Sequence, residues 1–475
     1  MIPVALMVVA LPCLAALPAF LLRRWRFAEL LCAIIGCAVV CLVLALATPQ
    51  VTVGPITFDL NTPLVVFGRA LLVHSYDQYL LLTFFASALV ILCFSWRTFS
   101  GWTFVPLGLV VLGLVSAAVI VRPFIFSALL MELAAALIAV MIQAEHLGER
   151  STLGAIRFLT VSTLALPFFF AATYFVNQGA QIVDPVLQAS TREPAIFLLL
   201  AGLILLIGAF PLFSWTHTLT RDAPPMVSAF VSTVMTSAVP IIFLSVQQEN
   251  AWLRPADPVA LWRTFGLAAV IFGGALAWAQ QSFARVLACA MSVEAGASLL
   301  LLHLGKIEAI EANESLVAGM LVRAISIGVL AIGLNILRAS RENDDFSLLR
   351  GAFHAGPSAR IAALAIAAGG LSLAGFPGTP GFMIQWMRTR VLAPGDPEMA
   401  ALLIVAGGSV GAGFVRGLAS MLTRDGSGIH QSLRLYRTEF LGVAVASLAL
   451  IVLGLAPEWI MLLARAAASA LAVGR

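Results

Sequence analysis

The sequence predicts an all-α integral membrane protein with about fourteen spanning helices. Of the 475 residues, 61% are hydrophobic and only 11% are charged, which is more apolar surface than one soluble core could bury. Apolar stretches of roughly 18 to 25 residues recur between short charged breaks, and each is long enough to cross about 30 Å of hydrocarbon. These stretches lack the alternation of barrel strands, so the expected fold is a helix bundle.

One short segment does not fit the helical pattern. Between the second and third apolar stretches, residues 51–59 alternate between apolar and polar and contain Gly54 and Pro55. Alternation around a glycine and a proline is typical of two short strands joined by a turn. We therefore expect a short surface hairpin there.

The charge and cysteine patterns exclude several classes of function. The net charge of +4 comes almost wholly from arginine, with Lys306 the only lysine, and the charges are spread between apolar runs rather than gathered in a nucleic-acid-binding patch. No glycine-rich dinucleotide motif or iron–sulfur cysteine spacing is present. We expect no cofactor, no metal site, no disulfide and no catalytic site in this chain. The six cysteines all lie inside apolar runs: Cys13, Cys32, Cys37, Cys41, Cys93 and Cys289.

The basic residues predict how the chain is oriented. The first apolar stretch precedes Arg23 and Arg24 rather than following a basic segment, so we expect a retained helix and not a cleaved signal peptide. Fourteen crossings place both termini on one side. The loops that follow odd-numbered helices carry more arginines than the opposite loops, which puts both termini on the non-cytoplasmic side. The membrane is expected to be a bacterial inner membrane.

Two interrupted helices suggest an internal duplication. Pro211 breaks the predicted seventh helix, and Pro377 breaks the twelfth. Matching interruptions in two halves point to an ion or substrate path at the bilayer midplane, although two kinked helices packed against neighbours explain the prolines equally well. We expect four regions: residues 1–100 with helices one to three and the hairpin, 101–250 with a first five-helix repeat, 260–425 with a second repeat, and 436–475 with helix fourteen.

Few charged residues lie inside the predicted spans. A charge at the centre of a spanning helix costs about 2.5 to 3.5 kcal/mol on insertion scales, so each needs a partner or a function. Glu132 lies mid-helix and is either a proton-path residue or a buried structural hydrogen-bonding group. Glu294 and Arg323 lie in consecutive helices at depths that allow them to pair, either to fix helix register or to form part of an ion path.

Two more polar residues lie where the seventh helix meets a loop. His217 and Asp222, in SWTHTLTRDAPP, have the residue types of a proton relay. Helix capping and loop solvation explain the same residues equally well.

Four segments together resemble a known family. FPLFSWTHTLTRDAPPMVSAF resembles the signature VPFHxWLPDAHxEAPTPVSAL of the antiporter-like subunits of respiratory complex I and of their cation-antiporter and membrane-hydrogenase relatives. LLMELAAALI is similar to the family's helix-five segment around a WEL motif. RVLACAMSVEAGASLLLL resembles RLLAYSSISHMGFxLLGL, and LAGFPGTPGFMIQW resembles LAGxPGTxGFxGEF. The four segments occur in the family's order.

The resemblance implies two inverted five-helix repeats with broken seventh and twelfth helices, a hydrated polar axis at mid-membrane, and proton movement coupled to redox chemistry in partner subunits. By the same resemblance, Glu132 takes the place of the family's helix-five glutamate. Arg285 takes that of the basic residue opening helix ten, and Asp222 that of the loop carboxylate.

Most of the family's titratable positions are changed in this chain. The helix-seven lysine aligns with Leu206, the helix-eight lysine with Thr236 or Ser237, and the helix-twelve lysine or glutamate with Gln385. The helix-eleven histidine and lysine fall near Arg323 and Ile327, and Glu294 replaces a histidine of helix ten. Leucine and isoleucine cannot exchange protons, and threonine, serine and glutamine cannot switch their charge.

Three functions remain open at this stage. The leading hypothesis is a membrane-arm, antiporter-like subunit of a complex I-type oxidoreductase or related assembly that takes part in proton translocation through Glu132, Glu294, Arg323 and ordered water, together with other membrane subunits. The second is a non-conducting spacer in such an assembly, which the missing lysines favour. The third is the membrane partner of an inorganic-carbon or cation transport system.

Overall fold

The structure is a computed structural model. It describes the chain except for residues 1, 48–49, 54–55, 61, 67, 97, 99, 144–151, 212, 251–259, 304–308, 342–343, 355, 424–436 and 474–475. Lys306 and the predicted turn at Gly54 and Pro55 lie outside the described residues.

The described chain is almost entirely helical, as predicted. The first half contains α1 (Val4–Leu21), α2 (Arg26–Leu46), α3 (Ser75–Phe94), α4 (Phe104–Ile120), α5 (Ile125–Ile142), α6 (Leu153–Gln181), α7 (Pro185–Ile207), α8 (Ser214–Asp222) and α9 (Pro225–Glu249). The second half contains α10 (Ala260–Ala279), α11 (Phe283–His303), α12 (Ala309–Arg341), α13 (Pro357–Leu373), α14 (Pro380–Leu392), α15 (Pro397–Leu422), α16 (Arg437–Leu455) and α17 (Glu458–Val473).

The lengths and apolar composition of these helices make the chain an integral membrane protein. Within the described residues, 11 helices are long and apolar enough to cross a membrane, or 12 if α16 and α17 form one span bent by 65°. The shorter α4 and α13 are also apolar. The exact count of fourteen stays a prediction.

Both predicted helix breaks are present. The seventh predicted span consists of α7 and α8, which are separated at Pro211, and the twelfth consists of α13 and α14, which are separated at Pro377. The C-terminal region differs from expectation because it contains two helices rather than one. Pro457 lies between them, and a proline there cannot supply the N–H that a continuous helix needs.

Proline begins several of the helices. Pro185, Pro225, Pro357, Pro380 and Pro397 each occupy the first position of their helix. A proline at this position costs little, because its missing N–H would have no partner inside the helix and its fixed φ is already helical. The sequence therefore encodes sharp helix starts at these five points.

Two small sheets lie outside the helical bundle. In the first, β2 (Gln50–Val53) pairs antiparallel with β3 (Ile56–Asp59), which is the predicted hairpin, and β1 (Ile2–Pro3) adds in parallel to β3. The second sheet was not foreseen. It joins β4 (Leu64–Val66), β5 (Arg69–Leu71) and β6 (Val121–Arg122) in that order.

The centre of the bundle is formed by α9, α11 and α12. Every residue of α9 from Pro225 to Val246 is buried, and the helix packs against α3, α4, α7 and α12. Outer helices instead carry large exposed apolar side chains, such as Leu364, Trp386 and Leu462. In a membrane protein such side chains face lipid. The central helices are therefore the ones that can hold a site shielded from lipid.

Candidate functional site

The first helix break begins at a glycine. Gly208 ends α7 in the left-handed region with φ 68°, and a Cβ at this position would lie 2.8 Å from the Trp215 indole. Only glycine combines this backbone conformation with such a close approach. The chain then passes Phe210 and Pro211 before α8 begins. Such a break leaves carbonyl groups at the end of α7 without partners within the helix.

The second break is also formed by glycines in the left-handed region. Gly375 and Gly378 adopt φ 74° and 83° between α13 and α14. Gly381 approaches the Ser372 backbone so closely that a Cβ there would overlap the Ser372 carbonyl oxygen. The first turn of α14 is therefore packed directly against the last turn of α13.

Next to the second break, three charged side chains meet inside the protein. Glu294 of α11 accepts two hydrogen bonds from Arg388 of α14, from Nη1 to Oε1 at 2.8 Å and from Nη2 to Oε2 at 2.9 Å. Arg323 of α12 approaches the same carboxylate, with 3.9 Å between its Nη1 and Glu294 Oε2. All three residues are buried. We refer to them as the central charged cluster.

Local packing explains how two arginines fit between these helices. Gly319, one turn before Arg323 on α12, leaves room for the Arg388 guanidinium, because a Cβ at residue 319 would lie 2.9 Å from Arg388 Nη2. On its other side, Arg323 Nη2 lies 3.5 Å from the hydroxyl oxygen of Ser237 on α9. A line of polar groups therefore runs from α9 through α12 and α11 to α14.

The central charged cluster is not electrically neutral. One glutamate faces two arginines, so an excess of one positive charge lies among buried residues when all three are ionised. The Nε atoms of Arg323 and Arg388 have no hydrogen-bond partner among the described residues. Buried charges are costly unless they are paired and hydrogen-bonded, so these two N–H groups are places where ordered water can bind.

Arg388 was not anticipated from the sequence. We expected Arg323 to be the partner of Glu294, but Arg388 is closer and makes the two-pronged contact. The available signal was its spacing, since Arg388 lies three residues after Gln385 and therefore on nearly the same face of α14. Its position shortly after the break at Pro377 does not by itself show whether it lies in a helix interior.

Glu132 lies in a different kind of environment. It is half-buried on α5, and its Oε1 accepts a hydrogen bond from the Thr163 hydroxyl of α6 at 2.6 Å. In the part of the chain that the structure describes, Glu132 forms no ion pair. Leu206, at the position of the family's lysine, is buried among apolar side chains. The first half of the chain therefore shows no counterpart of the Glu294–Arg388 pair at Glu132.

Asp222 and His217 make different contacts. The Asp222 carboxylate accepts a hydrogen bond from the Gly154 backbone N–H at 3.0 Å, in the first turn of α6, and lies 3.7 Å from Arg221 Nε. The contact satisfies one of the free N–H groups in the first turn of α6, and the choice between a structural role and a proton relay for Asp222 stays open. His217 Nε2 lies 3.8 Å from the sulfur of Cys289, on the helix that carries Glu294.

The remaining candidates are engaged with backbone carbonyls. The Thr236 hydroxyl donates to the Ser232 carbonyl at 2.6 Å, one turn earlier in α9. The Gln385 carboxamide donates to the Leu403 carbonyl of α15 at 2.9 Å. Of the two positions considered for the eighth-helix lysine, Ser237 is therefore the one that touches the central charged cluster.

A second buried ion pair positions the end of α8, the second part of the broken seventh span. Arg338 of α12 donates to the carbonyls of Thr220 at 2.7 Å and Ala223 at 3.1 Å, and lies 3.3 Å from Asp344 Oδ1. Asp344 Oδ2 in turn accepts a hydrogen bond from the backbone N–H of Ala284, at the start of α11. This pair satisfies carbonyls at the end of α8 and ties that end to α11 and α12.

Comparison with known proteins agrees with this architecture. The family model described as "NADH:quinone oxidoreductase/Mrp antiporter, TM" matches residues 127–410, which include both helix breaks and the central charged cluster. The chain belongs to this family. The match covers more than half of the chain. It includes most of residues 101–250 and of residues 260–425, the two predicted repeats.

Individual relatives of the NADH:quinone oxidoreductase/Mrp antiporter family are distant in sequence. NADH-quinone oxidoreductase subunit N of Desulforudis audaxviator (strain MP104C) is 26% identical over 275 residues, 54% of this chain and 53% of that protein. The chain thus spans about half the length of the curated relatives it matches.

Solved structures share the fold over nearly the whole chain. A chain of the Mrp complex from Dietzia sp. DQ12-45-1b superposes with a TM-score of 0.76 at 14% identity, covering 98% of this chain and 97% of that one. A chain of respiratory complex I from Thermus thermophilus superposes with a TM-score of 0.70 at 19% identity, covering 96% and 98%. At this level of identity the likeness establishes the fold.

Proposed function

We propose that this chain is a membrane-arm, antiporter-like subunit of a complex I-type oxidoreductase or a related assembly, and that it takes part in proton translocation. Partner subunits supply the redox chemistry, and other membrane subunits are its neighbours. The family match supports the placement, because relatives with this domain include subunit N of NADH-quinone oxidoreductase. The central charged cluster carries the proposal for proton movement.

In this proposal Glu294 is the group that takes up and releases a proton. It is the carboxylate of the central charged cluster, and arginine cannot be deprotonated under working conditions. Arg388 holds the ionised carboxylate by two hydrogen bonds, and Arg323 links it towards Ser237 on α9. A proton reaching Glu294 weakens the Arg388 contact, and its release restores the contact.

The organisation of the chain is part of the same proposal. Residues 101–250 and 260–425 form the two five-helix repeats, residues 1–100 and 436–475 flank them, and both termini lie on the non-cytoplasmic side of a bacterial inner membrane. The breaks at Pro211 and Pro377 support the repeats, because each falls in the fourth helix of its predicted repeat. The arginine bias of the loops supports the orientation.

A non-conducting spacer is the second candidate, and one observation favours it. Among the described residues, the Thr163 hydroxyl is the only hydrogen-bond partner of Glu132, and Leu206 stands at the position of the family's lysine. A relay that crosses both halves needs exchangeable groups in the first half as well. The two candidates therefore differ in whether protons move through the central charged cluster.

The deciding experiment measures protons moved per turnover by the parent assembly in proteoliposomes. The test variant combines Glu294→Gln with Arg388→Gln, which removes the titratable group without leaving Arg388 unpaired. Glu132→Gln, which changes the proton-path candidate in the other half of the chain, is measured beside it. A conducting subunit loses protons per turnover in the double variant while turnover and assembly persist. An unchanged ratio in both variants would establish the spacer.

A further inference from the structure

A second group of charged residues lies at one edge of the helical bundle, outside the central charged cluster. Arg122, in β6 between α4 and α5, contacts both the end of α9 and the start of α3. Its Nε lies 2.7 Å from Glu249 Oε2 on α9, and its Nη2 lies 3.9 Å from Asp77 Oδ2 on α3. His74, directly before α3, places its Nδ1 3.3 Å from the same Asp77 oxygen. We refer to these four residues as the edge charge network.

The charges of the edge charge network balance only with a proton on the histidine. Asp77 and Glu249 are two carboxylates, and Arg122 is one cation. The network therefore carries an excess of one negative charge when His74 is neutral, and it is balanced when His74 is protonated. Histidine is the side chain whose ordinary titration range falls between pH 5 and 8. Tyr76, a further titratable group beside it, stacks on the imidazole with 5.0 Å between the ring centroids.

The balance of charge matters most at Asp77, because this side chain is fully buried. Its Oδ1 has no hydrogen-bond partner among the described residues, and its Oδ2 accepts a hydrogen bond from the His74 backbone N–H at 3.3 Å. A buried carboxylate needs a cation or several donors close by, because removing it from water is costly. Two cations lie beside Asp77: the Arg122 guanidinium and, when it is protonated, the His74 imidazole.

Arg122 is engaged mainly with α9 and with the end of α4. Besides its contact with Glu249, it donates from Nη2 to the Ser245 hydroxyl of α9 at 3.1 Å. Its Nη1 donates to two backbone carbonyls where α4 ends, at 3.0 and 3.1 Å. The 3.9 Å between Arg122 Nη2 and the Asp77 carboxylate is too long for a hydrogen bond. In this arrangement His74 is the cation that can pair closely with Asp77.

We propose that His74 and Asp77 form a proton-binding site that works as a pH-sensitive latch between α3 and α9. With a proton on His74, the imidazolium pairs with Asp77 and leaves Arg122 with Glu249, so the end of α9 is held in place. Without that proton, the buried Asp77 carboxylate competes for Arg122, and the contact with Glu249 weakens. The proton comes from water, which reaches the imidazole because His74 is 36% exposed.

The latch acts on a helix that also touches the central charged cluster. Ser245, which accepts a hydrogen bond from Arg122, lies on the same helix as Ser237, which is 3.5 Å from Arg323 Nη2. The two serines are about two helical turns, or about 12 Å, apart along α9. The pH of the water at this edge therefore affects the helix that borders the cluster. The latch operates whether or not protons cross the central charged cluster.

The test measures hydrogen exchange at the end of α9 in the purified full-length chain, at about pH 5 and about pH 8. Each measured rate is divided by the intrinsic exchange rate at the same pH. In the wild type, the amides of the last turn of α9 are expected to exchange about fivefold faster at the higher pH, which is the size of effect that a partly exposed ion pair gives. Equal corrected rates at the two pH values would overturn the proposal.

Two variants are expected to shift this exchange in opposite directions. His74→Gln cannot take up a proton, so the end of α9 should exchange at the faster rate at both pH values. Asp77→Asn no longer competes for Arg122, so the end of α9 should keep the slower rate at both. A pH dependence that persists in either variant, or fast exchange in Asp77→Asn, refutes the latch.

His354→Gln is the matched control. His354 is also exposed, but its Nε2 lies 3.3 Å from the Leu422 carbonyl oxygen rather than beside a carboxylate. This variant should keep the full pH dependence of the wild type. Loss of the dependence in His354→Gln would place the responsible proton outside the edge charge network and overturn the assignment to His74.

Discussion

Arg388 donates hydrogen bonds to Glu294 from both of its terminal nitrogens, at 2.8 and 2.9 Å, although the two residues are 94 positions apart in sequence. Two parallel hydrogen bonds between charged groups fix orientation as well as distance. The pair therefore sets the position of α14, the helix after the second break, relative to α11. It also supplies the one carboxylate that we place on the proton path.

The first prediction concerns the geometry of this contact. Arg388→Lys keeps the charge but replaces the two-pronged contact by a single ammonium, so we expect about 1 to 3 kcal/mol less free energy of unfolding. Denaturant titration in mixed micelles measures it. Arg390→Lys is the control on the same helix, because Arg390 pairs with Glu311 at 3.1 Å with both side chains more than half exposed, and it should cost under about 1 kcal/mol. Equal costs would contradict a buried pair.

The second prediction concerns the excess positive charge. Glu294→Gln alone leaves Arg323 and Arg388 buried without their carboxylate, at an expected cost of about 3 to 5 kcal/mol in unfolding free energy. Adding Arg388→Gln removes one of the two cations and should recover at least about 1 kcal/mol of this loss. A double-mutant cycle by the same titration measures the recovery. Strictly additive effects would show that the two residues do not interact.

The third prediction concerns the end of the broken seventh helix. Arg338→Met removes the donors to the Thr220 and Ala223 carbonyls and the Arg338–Asp344 ion pair. We expect about 2 to 4 kcal/mol of destabilisation and faster hydrogen exchange in α8. Arg465→Met is the control, because Arg465 is largely exposed where it pairs with Glu314. Exchange in α8 that matches the wild type would argue against this anchoring role.

The fourth prediction concerns the second break. Gly381→Ala would force a Cβ into the Ser372 carbonyl, so α14 must shift, and we expect a loss of about 3 kcal/mol. Gly408→Ala is the control, because a Cβ there meets nothing within 4 Å, and alanine is the better helix former by about 1 kcal/mol. The melting temperature of each purified variant tests this. A Gly381→Ala protein as stable as the wild type would mean that the two helix halves are packed less closely.

Much of the fold follows from the linear pattern of residues. The apolar runs predict spanning helices because lipid leaves the backbone no partner other than itself. Pro211 and Pro377 mark the breaks because proline cannot continue the backbone ladder. The hairpin at β2 and β3 follows from the alternation around Gly54 and Pro55. The intramembrane charges Glu294 and Arg323 stand out because the predicted spans contain so few charges.

The tertiary structure decided which charges meet. Whether Arg388 belongs to a helix interior depends on where α14 begins after its break, and its contact with Glu294 depends on the packing of α11 against α14. Neither is encoded in local periodicity. The order of the residues is enough to show that the chain crosses the membrane, where its helices are interrupted and which charged residues lie inside the spans. Only the fold decided that Glu294 is held by two arginines while Glu132 faces a threonine, because partners distant in sequence are chosen by three-dimensional packing.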